Sequence, residues 1–450
     1  MSGRAAIVIV GGGMVGAATA YHLAVRQKIR GVTLVEAGEP LGLTSAMGTE
    51  AYRQWWPGAT MRRFIGRSID LLEEVSAASG EAVGVERQGY LFVTGDAAEA
   101  ARLGAEAEAA AARGEGPLRV HPGGERYTAP GRSGWREAPA GLDLFTSGAR
   151  LRASFPFLCE EAIAGLHVRR CGFLDAQRLG RFLLGEATRA GAEVLRGRVV
   201  GVEDGFKVRL EGGAEIGCEK LVLAPGPMLA AAAAMLGAAP PVRCELHAKV
   251  HIPDPARVAP EGAPLTIWQD PVRLGWSAAE AAALASSPTE RRWLEVLPGG
   301  AHFRRRGADL LGIWTTLKEE GAEEGTTRPE FPPVFDPWFA EVMIRGLARL
   351  VPGVAAYFGA GPRCRIDGGY YCKAPDNLPL IGALPTAGAY VVGALSGFGI
   401  MGAQAAAELV TAHVLERPLP DYAGALAPAR FADPSYAAGL DQAALRIGQL

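Results

Sequence analysis

Three glycines in the run Gly11-Gly12-Gly13-Met14-Val15-Gly16, followed at a distance by Glu36, could hold the pyrophosphate and ribose of a dinucleotide. Gly11 allows a tight turn, and Gly13 lets the backbone approach a pyrophosphate. Gly16 lets the following helix lie close on the preceding strand. Met14 and Val15 open that helix, so its N–H groups and positive dipole end face the phosphates. Glu36 stands about 20 residues after Gly16, where a carboxylate accepts hydrogen bonds from ribose hydroxyls and repels a 2′-phosphate. The flanking runs Ala5–Val10 and Val32–Val35 are short, apolar and β-branched, as strands buried on both faces should be.

Arg53 offers a second chemistry. A guanidinium fork grips a carboxylate at two points, and the nearby faces of Tyr52, Trp55 and Trp56 can hold a substituted ammonium. The set suits an amino acid or an N-methylated amine; a core aromatic cluster with a structural Arg is the alternative. Ser396-Gly397-Phe398-Gly399-Ile400-Met401-Gly402 is a second glycine-rich strand-to-helix junction. Its helix N-terminus would favour negative charge on a bound group. Thr44 and Ser45 can donate to phosphate oxygens, with Gly48 leaving room, or form an ordinary turn. His247 and His251 alternate on a strand-like run without a partnering pattern and read as structural, while Lys249 and Lys373 stay unassigned.

Several function classes are excluded by composition. A net charge of −2 gives no electrostatic reason to expect nucleic acid or an anionic membrane surface as partner. The six cysteines form no CxxC or Cys/His metal spacing, which predicts a reduced, cytoplasmic protein without a metal. The nucleotide motif starts within about ten residues of Met1, so no signal peptide is expected. Leu221 to Ala239 is broken by Pro225, Gly226 and Pro227 and predicts a strand, a turn and an Ala-rich helix, not a membrane span.

The elements that must position these residues follow from periodicity. Helices are predicted at about Met14–Arg26, Thr60–Ser79, 97–114, Ala176–Ala190 (capped by Asp175), Ser277–Trp293, Pro337–Leu350 and Ala403–Leu415. Strands are predicted at Gly89–Thr94, Ala192–Leu195, Arg198–Val202, Lys207–Leu210, Lys220–Ala224, Leu310–Thr316 and Tyr390–Gly393. Residues 115–148 read as irregular. Nucleotide-domain elements therefore recur at about 1–50, 172–230 and 388–416, and the domains must interleave.

In order, the glycine motif with Glu36, Thr44-Ser45 with Gly48, Gly172 to Asp175, Leu223-Ala224-Pro225-Gly226, Pro375 to Gly382 and Ser396-Gly397-Phe398-Gly399 resemble the FAD-dependent D-amino-acid oxidase superfamily. Sarcosine oxidase, glycine oxidase and dimethylglycine dehydrogenase are the nearer relatives. Residues 97–148 and 277–300 stand outside the resemblance. It implies an α/β fold: a Rossmann-like FAD-binding domain (residues 1–90, 150–230 and 360–450) interleaved with a mixed, mainly antiparallel substrate domain (91–149 and 231–359). It implies FAD bound by Gly11, Gly13, Met14, Val15, Gly16, Glu36, Ala37, Thr44, Ser45, Gly48, Val199, Ala224, Gly226, Gly397, Phe398, Gly399, Ile400 and Met401.

The implied chemistry is oxidation of the C–N bond of a small amino acid or secondary amine by hydride transfer to flavin N5. Oxygen or another acceptor then takes the electrons. Arg53, Trp314 and Tyr371 are the implied substrate-side residues. No His or Cys lies between 23 and 120, and Gly369 occupies the position where sarcosine oxidase-like members carry a tethering Cys. Non-covalent FAD is therefore expected, although a shift of three residues would bring Cys372 to that position. Leu310 stands where those oxidases carry a Lys, which leans the reading toward a dehydrogenase. The alternative is a flavin-binding subunit of a heteromeric dehydrogenase, with 97–148 and 277–300 as interface insertions; a homo-oligomer is equally compatible. An NAD enzyme without flavin is disfavoured, because it has no need of the second glycine-rich helix start.

Overall fold

The computed structural model describes residues 5–124, 126–131, 134–317, 325–438 and 440. Its first strand, Ala5–Val10, sits inside an eight-stranded sheet, which explains its unbroken apolar run. On one side it pairs in parallel with Val32–Glu36, which pairs in turn with Glu193–Arg196. On the other it pairs in parallel with the second half of Glu215–Leu223, and that strand with Ala389–Gly393. Leu380–Ala383 closes this edge antiparallel. The first half of Glu215–Leu223 runs on into an antiparallel extension with Lys207–Leu210 and Val199–Glu203.

Three helices cover this sheet beside the glycine motif. Met14–Tyr21 continues as a π-helical turn, His22–Arg26, so the predicted Met14–Arg26 helix is present with a widened last turn. Gly399–Val414 starts four residues earlier than predicted, within the glycine-rich junction itself. Its alanines at 403 and 405–407 let it lie close against the first helix and Ala59–Ala78. The Ala176–Arg189 helix starts where Asp175 accepts from the N–H of Arg178, as predicted.

A nine-stranded sheet forms the second layer. Its order is Arg365–Lys373, Arg243–Pro253, Asp309–Ile313, His302–Arg306, Leu265–Trp268, Tyr90–Thr94, Ala164–Val168, Leu142–Phe145 and Leu118–His121. All pairs are antiparallel except Leu265–Trp268 with Tyr90–Thr94 and Leu118–His121 with Leu142–Phe145. Two sequence expectations are corrected here. Residues 115–148 contain the two outer strands of this sheet, because Asp143 holds Arg119 (2.7 Å), His121 (2.8 Å) and Arg169 (2.5 Å) around it and so fixes a polar edge that no apolar alternation announces. Ala164–Val168 and Arg365–Lys373, placed by sequence within the FAD-binding spans, hydrogen-bond into this second sheet.

Glu50 ties the layers together. Its buried carboxylate meets Arg304 at 3.1 Å and Arg306 at 3.0 Å, and accepts from the N–H of Ala176 at 3.3 Å. Removing one partner of such a buried pair costs ~3–5 kcal/mol.

Burial keeps three histidines neutral: it pulls His22 and His302 down to about 4, and His167 to about 3. The unfolded chain binds a proton at each below pH 6.5, whereas the folded chain resists until about pH 4. Their contribution is complete above pH 6.5 and is lost as pH falls from 6.5 toward 4, by roughly 3 kcal/mol at most for His22 and His302 and roughly 5 for His167. Urea unfolding followed across pH 7 to 4 should therefore show stability falling steeply below 6.5. The variant His22→Gln should flatten that slope by about one histidine's share.

Candidate active site

The glycine motif, the Leu41–Ala51 segment, the Ala224–Pro227 turn and the Ala394–Met401 junction surround a cleft of about 1110 Å³. Gly11 stands at φ +107°, and a Cβ there would run into Ala224 and Pro225. At Gly16 a Cβ would collide with the carbonyl of Gly11. Gly13 is open by contrast, with only the Ser45 hydroxyl near its absent Cβ, at 3.3 Å. The first helix has no side-chain cap from Gly13; the Met14 N–H donates to Ser45 Oγ at 3.0 Å.

Glu36 lies in the cleft wall. One carboxylate oxygen accepts from the N–H of Gly12 (2.6 Å) and the other from Gly38 (2.8 Å). Two oxygens offer about four acceptor positions, so capacity remains on the cleft side. At the far end, Gly397, Gly399, Ile400 and Met401 line the cleft. Phe398 provides no side-chain cap to the Gly399–Val414 helix, so its first-turn N–H groups keep their donor capacity there. Thr44 Oγ1, in the same wall, is buried and lacks a protein partner.

A second cavity of about 510 Å³ adjoins the cleft, sharing Tyr371, Gly397 and Met401 with it. Its wall carries Arg53, Trp56, Tyr90, His302, Thr315 and Phe398, among others. Arg53 is buried, and its guanidinium lies 4.3 Å from the Trp56 ring centroid. Burial pulls the Arg53 guanidinium below its ordinary value, and pushes the Tyr371 phenol up to about 12. His302 Nδ1 faces the Gly300 carbonyl at 2.8 Å, which makes it the protonated nitrogen and leaves Nε2 as an acceptor on a neutral ring. Tyr371 stacks on His247 with ring centroids 4.1 Å apart.

The structure thus brings Arg53 and Tyr371 together at one cavity. The chain leaves its short strand at Arg53, and the aromatic cluster is split. Trp56 stays at the cavity, whereas Tyr52 donates to the Glu86 carbonyl (2.8 Å) inside the core and Trp55 packs toward Phe92. The expectation for Trp314 is corrected. Its ring is buried against Gly346, and its Nε1 donates to the Pro298 carbonyl at 3.0 Å. Side chains alternate along this stretch, so Ile313 and Thr315 face the cavity while Leu310 and Trp314 face the core. A core-facing Leu310 bears on no electron acceptor. Lys249 pairs with Ile313 across the strands, and its buried ammonium donates to the Met47 carbonyl (2.7 Å) and Asp367.

His302 is the cavity residue that the sequence reading missed. It begins a strand in which His302 and Arg304 alternate, but only pairing with Ile267 and Ile313 brings it to the cavity. Tyr90 and Glu50 were likewise not read as cavity or cleft walls.

The family model for DAO, described as FAD dependent oxidoreductase, matches residues 6–413. The chain belongs to this family. Human mitochondrial dimethylglycine dehydrogenase is 29% identical over 192 residues, a match that spans 42% of this chain and only 19% of that relative. L-proline dehydrogenase from P. horikoshii shares the fold at a TM-score of 0.70 and 21% identity, over 96% of this chain and 99% of that one. Glycine oxidase from Geobacillus kaustophilus does so at 0.68 and 17%, over 94% and 97%. Iminodiacetate oxidase from Chelativorans sp. BNC1 does so at 0.67 and 19%, over 92% and 96%.

FAD is therefore this oxidoreductase's cofactor, and the cleft fits it: an open Gly13, a carboxylate with spare acceptor capacity, an orphaned Thr44 hydroxyl and an uncapped helix N-terminus lie along one wall. Four residues expected at FAD lie outside this cleft. Gly16 is packed beneath it, and Ala37 is exposed beyond Glu36. Val199 opens the antiparallel extension, and Phe398 turns into the second cavity, 5.1 Å from Trp56 between centroids. Among the described residues no group of His, Cys, Asp or Glu could hold a metal, and no helix is long and apolar enough to cross a membrane.

The variant Thr44→Val should leave the stability of the apoprotein unchanged while weakening FAD binding about fivefold, the worth of one hydrogen bond near 1 kcal/mol. Quenching of flavin fluorescence on titration with apoprotein measures this directly.

Proposed function

We propose that this oxidoreductase oxidises the C–N bond of a small amino acid or secondary (N-methyl) amine, with FAD held non-covalently. The observation that carries this reading is the second cavity, where a buried Arg53 and a neutral His302 face an opening onto the flavin cleft. Arg53 anchors the substrate carboxylate through its planar fork. His302 Nε2 accepts the hydrogen bond of the amine, which binds in its neutral form. Trp56, Phe398 and Tyr371 enclose the alkyl part and exclude water. With both ends held, the α C–H points through the opening at Tyr371 and Gly397, which is the positional part of the catalysis. Bound FAD supplies the hydride acceptor, and the first-turn N–H groups of Gly399–Val414 favour the negative charge of its reduced form.

Gly369, where a tethering Cys would stand, packs its backbone against Thr44, and Cys372 stands opposite Cys244 in the strand register. Acid precipitation of the yellow protein should therefore leave a colourless pellet and FAD in the supernatant. A pellet that stays yellow overturns the non-covalent reading.

Anaerobic titration with a panel of N-methyl, D- and L-amino acids should bleach the flavin band with at least one member, and admitting air then separates oxidase from dehydrogenase. With that substrate, Arg53→Ala should raise KM by roughly 10- to 100-fold, the loss of a charged hydrogen bond of ~1.5–3 kcal/mol, with a smaller change in kcat. An unbleached flavin, or an Arg53→Ala enzyme with wild-type KM for every carboxylate substrate, sinks the proposal.

A further inference from the structure

Cys244 and Cys372 face each other directly in the register of Arg243–Pro253 against Arg365–Lys373. The hydrogen bonds around them show what kind of pair this is. Both backbone groups of Cys244 are committed to the opposite side: its N–H donates to Thr326 (2.7 Å) and its carbonyl accepts from Thr326 (2.9 Å). The Cys372 carbonyl likewise turns away, accepting from Ser396 at 2.9 Å. The two cysteines therefore occupy a non-hydrogen-bonded pair of the antiparallel ladder, where Cα atoms stand about 4.5 Å apart and side chains are closest. That separation lies inside the range a disulfide spans. Both are free thiols, and the Cys244 thiol donates to the Pro227 carbonyl at 3.3 Å. Both are buried, yet Cys372 lines the flavin cleft, so a small solute in the cleft can reach the pair.

We propose that Cys244 and Cys372 form a redox-active pair that closes reversibly into a cross-strand disulfide in the wall of the flavin cleft. The oxidant is a peroxide. One sulfur attacks a peroxide oxygen; an S–O bond forms, the O–O bond breaks, and the departing oxygen leaves as water with the thiol proton. The second sulfur attacks the resulting sulfenic acid; the S–S bond forms, the S–O bond breaks, and a second water leaves. In sum, two thiols and one hydrogen peroxide become one disulfide and two waters, two electrons passing from sulfur to oxygen. A small dithiol restores the pair by exchange. The pair adjoins the junction that opens the Gly399–Val414 helix. The Cys372 carbonyl accepts from the Ser396 N–H, and Ala394 (φ +53°) and Ser396 (φ +46°) both hold left-handed backbone there. Closure ties the residue that holds this turn to the neighbouring strand and so couples thiol state to the cleft wall. None of this rests on the amine reading.

The full-length flavoprotein is treated with a slight excess of hydrogen peroxide, quenched, denatured with an alkylating reagent and mapped by mass spectrometry. Titratable thiols should fall by two from the six in the sequence. The missing pair should appear as one peptide joining Cys244 to Cys372, and dithiothreitol should restore both. Neither Cys244→Ser nor Cys372→Ser should yield the joined peptide, and the variant that keeps the attacking cysteine should lose one thiol, held as the unresolved sulfenic acid. Six persistent thiols, a cross-link between other cysteines, or a loss that dithiothreitol does not reverse overturns the proposal. The wild-type peptide map decides this even if a serine variant fails to fold.

Discussion

Backbone meets backbone at the head of the first strand, and the rest of the molecule depends on that approach. Gly11 lies against Ala224 and Pro225, and Gly16 lies on the carbonyl of Gly11, at distances that a single Cβ would violate. The consequence is a floor without side chains, where helix N–H groups rather than side chains meet a ligand. A second such surface, at Gly397 and Gly399, is brought to the same cleft by the parallel pairing of Ala389–Gly393 with Glu215–Leu223. One sheet thereby places two helix N-termini beside one cleft.

The substrate side is built differently. Its sheet carries Arg53's neighbours, His302 and Tyr371 on strands far apart in sequence. Polar groups there are buried and held by specific partners: His302 by the Gly300 carbonyl, Lys249 by Asp367 and the Met47 carbonyl, and Glu50 by two arginines. Buried charges kept this way are costly unless each partner is present. They lock the second sheet onto the segment that follows Glu36, and so set where the cavity opens.

Tyr371 and Cys372 stand at the joint between the two layers. The strand Arg365–Lys373 belongs to the second sheet, yet it delivers consecutive residues to the cleft wall. Tyr371 borders both cleft and cavity and stacks on His247, and Cys372 touches the helix junction through its carbonyl.

By itself, the sequence determined whatever depends on local spacing. The glycine motif, Glu36, the Asp175 cap, the second glycine-rich junction and the order of family motifs were legible, because turn conformation, capping and helix-dipole geometry act over a few residues. The second cavity was decided only by tertiary structure. Whether Trp314 or Thr315 faces substrate turns on which side of a strand is covered by the Phe339–Leu350 helix, and a shift of one residue reverses the answer. His302 reaches the cavity, and Cys244 reaches Cys372, through strand register, which joins residues on different strands, in the second case more than a hundred positions apart, and leaves no mark on the residues between them.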